Sequence, residues 1–127
     1  MPSQIPCPCG GGNYQQCCQP IHNGDSAPTA EALMRSRYSA FALGLDDYIK
    51  KSWHQSTCSD NTNCTDDSYQ WLGLTIINTV KGQQGDHEGQ VHFIARYKIN
   101  GKAYRIDENS KFIYEQGHWY YLQATTN

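Results

Sequence analysis

The dipeptide Asn100-Gly101 constrains this chain most. Both residues tolerate positive φ, and a two-residue turn of that composition ties its flanks into a β-hairpin of defined register. The turn pairs Tyr97 with Tyr104, Ala95 with Ile106, Phe93 with Glu108 and Val91 with Ser110. On the opposite side it pairs Arg96 with Arg105 and His92 with Asn109. The first side is mostly apolar and the second polar, as an antiparallel sheet with one solvated face requires. Gln116-Gly117 marks a second tight turn, which sets Tyr114 opposite Trp119 and Phe112 opposite Tyr121 on the apolar side. An earlier strand begins at Trp71 and alternates Leu72, Leu74, Ile76 and Val80 on one side.

Such a face needs a cover, and the chain supplies one. Asn23-Gly24-Asp25-Ser26-Ala27-Pro28 reads as a connector. Thr29 then N-caps a helix running from Ala30 to about Leu43, with Glu31 favoured in its first turn. Ala30, Leu33, Met34, Tyr38, Phe41 and Leu45 share one arc of that helix. Arg37 projects into the same arc, and Arg35 points away from it. A cation on an apolar stripe calls for a carboxylate, because an unpaired buried charge is costly; Glu108 is the expected partner. Gly44 stops the helix, and Asp46 or Asp47 starts a short second one ending near Trp53. Residues 56–68 are polar and read as a surface loop. Helices followed by antiparallel strands predict an α+β domain over 28–127.

The first 22 residues are different in kind, showing neither helical nor strand period. Cys7, Cys9, Cys17 and Cys18 bring four thiols together within twelve residues, with Gly10-Gly11-Gly12 turning the backbone between the pairs. Thiolates are soft ligands, and a tetrahedral set of four is a structural zinc site. Disulfides and free thiols are the alternatives. Cys58 and Cys64 lie in a Ser/Asp/Asn-rich loop without a second pair and read as plain thiols, with a bridge or an adventitious metal as the alternatives.

Composition removes several function classes. Ten basic against twelve acidic residues leave a net charge of −2, so no Lys/Arg stripe is available to bind nucleic acid by counterion release. The longest purely apolar run, Ala40 to Leu45, is far short of the roughly 20 residues that span a bilayer. Met1-Pro2-Ser3-Gln4-Ile5-Pro6 has no secretory signal character. These features predict a cytoplasmic protein whose cysteines stay reduced.

Cys7-Pro8-Cys9-Gly10 with Cys17-Cys18 resembles the SEC-C motif, the small zinc module at the C-terminus of the SecA translocase, although seven residues separate the pairs here and eight is usual. Together with the stretches from Pro28 to Tyr38, Ser52-Trp53-His54, Trp71 to Leu74, Phe93 to Tyr97, Glu108 to Phe112 and Trp119-Tyr120-Tyr121, the chain resembles the YchJ-like family of bacterial proteins. That resemblance implies a cone-shaped nuclear transport factor 2-like (cystatin-like) fold, with helices packed into a strongly curved antiparallel sheet, behind a zinc module at 1–22. It brings no established activity.

Three functions follow as expectations. In SecA the similar module docks a chaperone and the ribosome, so the resemblance implies an interaction adaptor for translation or export machinery. A small ligand bound inside the cone is the second, with Arg37, Trp53, Phe93, Glu108, Ser110, Phe112 and Tyr121 as lining. The third is an isomerase- or dehydratase-like enzyme, in which Glu108 in an aromatic pocket and His54 carry acid–base chemistry. A buried salt bridge is the plainer reading of Arg37 and Glu108, and a hydrogen-bonded structural role that of His54.

Overall fold

The computed structural model describes residues 6–56 and 68–125. Cys58 and Cys64 therefore lie outside the described residues.

The long helix forms where its caps dictate. Thr29 Oγ1 accepts the Ala32 N–H at 3.0 Å, and Gly44 closes the helix in the left-handed region at φ 76°, its N–H donating to the Ala40 carbonyl. We label Gln19–His22 α1, this helix (Ala30–Leu43) α2 and Asp46–Lys51 α3. Four strands follow: β1 (Gln70–Lys81), β2 (Glu88–Ile99), β3 (Lys102–Glu115) and β4 (His118–Thr125).

The two turns set the register as the sequence predicts. Asn100 and Gly101 have φ of 52° and 80°, and Tyr97 faces Tyr104, Phe93 faces Glu108 and Val91 faces Ser110. Across the second turn Tyr114 faces Trp119 and Phe112 faces Tyr121, after which a bulge at Lys111/Phe112 shifts the ladder. Ala30, Leu33, Met34 and Tyr38 of α2 form one core with Val91, Phe93, Ala95, Phe112 and Trp119 of the sheet. Fully burying a side chain such as Val91 or Phe112 is worth about 1.5–3 kcal/mol.

β1 departs from simple alternation. Bulges at Trp71/Gly73 and at Ile76/Asn78 each add a residue to the strand and so reverse its faces. Trp71, Leu74, Ile76 and Thr79 pair with Tyr97, Ala95, Phe93 and Val91, whereas Leu72 and Val80, expected to share a side with Leu74 and Ile76, are about half exposed.

The expected cone does not form. The sheet is an open meander in the order β1-β2-β3-β4, with β1 and β4 as its edges. Four strands are few for a closed barrel, where about eight just enclose a side-chain-filled interior. The outer edge of β4 is also occupied: Trp53 bridges Tyr121, the Tyr121 N–H donates to the Ser52 carbonyl, and the His54 N–H donates to the Tyr121 carbonyl, both at 2.8 Å. The fold is α+β, with helices against a four-stranded antiparallel sheet that is neither closed nor strongly curled.

α2 is buried on a second side as well. Ser36, Ser39 and Ala40 are fully enclosed, and Cys7, Cys9, Tyr14 and Cys18 belong to the same core as Leu33 and Met34. The N-terminal segment is thus seated on the helix that covers the sheet.

Candidate metal centre

Local hydrogen bonds fold the first cysteine pair into a knuckle. Pro6 bridges Asn13, the Cys7 N–H donates to the Gly12 carbonyl at 2.6 Å, and the Gly10 N–H donates to the Cys7 carbonyl at 2.9 Å. A turn at Asn13–Cys17, with the Cys17 N–H on the Tyr14 carbonyl at 3.1 Å, then returns the second pair into the start of α1.

The four sulfurs converge. Cys9 Sγ lies 3.5 Å from that of Cys7, 3.6 Å from Cys17 and 3.7 Å from Cys18, and Cys17 and Cys18 are 3.9 Å apart. All four sit within 4.8 Å of one another. Sulfurs bound tetrahedrally at about 2.3 Å from a zinc ion are about 3.8 Å apart, so the cluster fits such an ion despite its shorter loop. The thiols are free, far from the roughly 2.05 Å of a disulfide. Gly11 sits against the cluster so tightly that a Cβ there would stand 2.9 Å from Cys17 Sγ and 3.2 Å from Cys9 Sγ.

Charge within the cluster is unequally shared. The Cys18 thiol donating to Cys9 holds the Cys9 thiol down at about 4 against the effect of burial, with further help from the Gly11 N–H, Cys7 and Cys17. Burial, with the neighbouring sulfurs, pushes Cys17 up to about 12. Cys18 is also pushed up, by its bond to Cys9 and by burial, with Ser39 opposing. A dication would replace these sulfur–sulfur hydrogen bonds with four metal–thiolate bonds. A set of four protein sulfurs leaves no open coordination position, which is the arrangement of a structural site rather than a catalytic one.

Residues outside the cysteines support the cluster. Ser39 Oγ on α2 lies 3.3 Å from Cys18 Sγ and 3.4 Å from Cys7 Sγ. Arg35 Nη1 donates to the Cys9 carbonyl at 3.1 Å while its Nε holds Glu31. His22 Nε2 donates to the Ser36 carbonyl at 2.8 Å, which leaves Nδ1 to accept from the Tyr14 hydroxyl at 2.7 Å. Burial lowers the His22 pKa, in keeping with that neutral ring. Sequence reasoning missed these partners. The available signal was the run of small residues Ser36, Ser39 and Ala40, a second face suited to close packing.

The residues expected to line a pocket are neighbours on the helix side of the sheet, where the Phe112 and Tyr121 rings meet edge to face at 5.7 Å. Phe93, Ser110 and Phe112 are buried on the helix side of the sheet, and Ser110 Oγ donates to Glu108 Oε2 at 2.7 Å. Arg37 stands over the Tyr121 ring at 4.5 Å and the Trp53 ring at 5.7 Å, and its Nη1 donates to the Ile49 carbonyl and to Ser52 Oγ. The Tyr121 pKa is raised by burial and then by the Glu108 carboxylate, with Arg37 among the opposing influences. No Arg37–Glu108 ion pair is present among the described residues. His54 is elsewhere: its Nε2 meets Glu115 at 3.2 Å and its ring packs on Tyr120, on the sheet face opposite Glu108. The two acid–base candidates are not brought together.

Residues 29–124 match the family described as YchJ, middle NTF2-like domain. A UPF0225 protein of Chromobacterium violaceum is 48% identical over 122 residues, covering 93% of this chain and 90% of its own. One from Cupriavidus metallidurans is 48% identical over 111 residues, 87% of this chain and 77% of its own. The solution structure of a SEC-C motif containing protein from Rhodopseudomonas palustris superimposes with a TM-score of 0.79 at 30% identity, over 97% of this chain and 99% of that one. The crystal structure of a SEC-C motif containing protein from Psychrobacter arcticus gives 0.74 at 27% identity, over 96% and 84%. With the cysteine knuckle in front and the matched helix–sheet domain behind it, the chain belongs to the UPF0225/YchJ-like family.

Proposed function

We propose that Cys7, Cys9, Cys17 and Cys18 hold one structural zinc ion. On this reading the module so formed, seated on α2, is a docking surface through which the protein acts as an adaptor for translation or export machinery in the reducing cytoplasm. The observation that carries the reading is the convergence of four Sγ atoms within 4.8 Å in a largely buried cluster. Soft thiolates in a tetrahedron select zinc over harder cations. A closed ligand set favours a structural role, and structural zinc modules of this size commonly serve recognition. The placement of Glu108 and His54 on opposite sheet faces gives acid–base catalysis no comparable support.

The test has two stages. Metal analysis of protein purified without chelator is expected to give one zinc per chain; below about 0.2 equivalents the metal reading fails. Affinity capture with intact protein and with the Cys17→Ser variant then examines the adaptor role. Enrichment of ribosomal proteins or an export chaperone by the intact chain alone is the expected result. Equal capture by both proteins, or neither class captured, overturns it.

A further inference from the structure

We propose that Ser39 and Arg35 of α2 are positioning residues of the metal centre, so that the helix covering the sheet sets how tightly the N-terminal module holds its ion. This inference rests on the reading of the four thiols as a metal site.

A serine inside a helix ordinarily folds its hydroxyl back onto a carbonyl three or four residues earlier. Ser36 does so, donating to the Leu33 carbonyl at 2.7 Å. Ser39, one turn on and fully buried, does not. Its hydroxyl turns outward from the helix, with Cys18 Sγ at 3.3 Å and Cys7 Sγ at 3.4 Å. A hydroxyl carries one proton and donates to one sulfur at a time. With all the sulfurs ionised, Cys18 is the acceptor that the bond direction already favours.

Electrostatics requires such help. Four thiolates around a dication leave two net negative charges, and buried charge is costly unless it is paired and hydrogen-bonded. The knuckle supplies the Gly11 N–H to Cys9. Arg35 adds a cation from α2, fixed at both ends: Nη1 on the Cys9 carbonyl at 3.1 Å and Nε on Glu31 at 3.0 Å. One helix thus donates a hydroxyl to one cysteine pair and holds the backbone of the other. Groups around metal ligands commonly govern affinity by 10–100-fold.

Zinc affinity measured by chelator competition, on the full chain, tests this. Ser39→Ala removes one buried oxygen and is expected to weaken zinc binding about 10–100-fold. Cobalt in the same variant should keep the absorption of a four-thiolate tetrahedron, with its sulfur-to-metal charge-transfer band moved to longer wavelength. That shift follows because a sulfur without its donor gives up electrons more readily, and a purely packing role for Ser39 would not produce it. Arg35→Met should also weaken binding, and Arg35→Lys, which keeps the cation, should restore most of it. Should Ser39→Ala fail to fold, the two Arg35 variants decide the matter. Wild-type protein that takes up no zinc overturns the metal reading and this inference with it. Wild-type protein that binds zinc with an affinity unmoved by Ser39→Ala, or by Arg35→Met where the first does not fold, overturns this inference alone.

Discussion

Gly89 and Gly82 lie closer than side chains allow: a Cβ on Gly89 would stand 2.4 Å from the Gly82 Cα and 3.3 Å from the Ala30 Cβ. The contact joins the end of β1 to the start of β2, where the Gly82 N–H donates to the Glu88 carbonyl. It also seats the first turn of α2, whose Ala30 N–H donates to the Gly82 carbonyl at 2.9 Å. Backbone cannot retreat as a flexible side chain can. Gly89→Ala is therefore expected to cost about 1–3 kcal/mol, as overpacking does. Gly73→Ala, with nothing within 4 Å of the added carbon, should stay within about 0.5 kcal/mol. Thermal melts of the two variants check the contrast.

Arg37 offers a second test. Its guanidinium donates to the Ile49 carbonyl and Ser52 Oγ and lies on the Tyr121 ring. Arg37→Met should cost about 3 kcal/mol from the lost charged hydrogen bonds and ring contact. Adding Glu108→Leu should recover none of it, because Glu108 is held by Ser110. Denaturant melts of both single variants and the double variant measure this; recovery in the double variant would mean that the two charges depend on each other.

Stripping the metal should act locally. Small zinc modules draw their folding free energy from the ion, whereas the core between α2 and the sheet contains no ligand beyond the docked knuckle. Because Cys7, Cys9 and Cys18 stay packed on α2, chelator is expected to lower amide-exchange protection over residues 6–23 without abolishing it and to leave β2 and β3 unchanged. Loss of protection in both regions together would contradict the expectation.

Without metal, the thiols set a pH dependence of their own. Cys9 is depressed from the ordinary 9.0 to about 4, so its contribution to stability is complete above pH 9.0 and is lost as pH falls through about 4. Cys17 is raised to about 12, so its contribution is complete below pH 9.0 and is lost as pH rises through about 12. Ultraviolet thiolate absorbance of metal-free protein should thus persist in mild acid and disappear only near pH 4. A first thiolate appearing near pH 9 would contradict this.

The parts legible in the sequence were those decided within a few residues. Thr29 and Gly44 bound α2 because caps are local chemistry, and Asn100-Gly101 set the β2–β3 ladder because a two-residue turn leaves one register. The cysteine spacing named the four sulfurs that converge. What escaped depends on partners distant in sequence. The β1 bulges arise from pairing with β2, so Leu72 and Val80 were assigned the wrong side. The expected cone came from resemblance, and nothing local shows that residues 52–54 occupy the β4 edge. Arg35 points away from the apolar arc as its position predicts, and only the folded N-terminal segment shows that its neighbour there is the Cys9 carbonyl. The second buried face of α2 becomes legible only once the segment that covers it is known.

The two bulges in β1 have a consequence for how the molecule meets others of its kind. β1 is a long edge strand, and its outward residues include the half-exposed Leu72, Ile77 and Val80. A regular edge of that length and polarity would be a template for another chain's strand. Each bulge interrupts the even spacing of backbone donors and acceptors and increases the local twist. An incoming strand would find matching groups over only short stretches, too few to hold it. The irregularity that hides the faces of β1 from sequence reading thus also makes this edge a poorer template for an incoming strand.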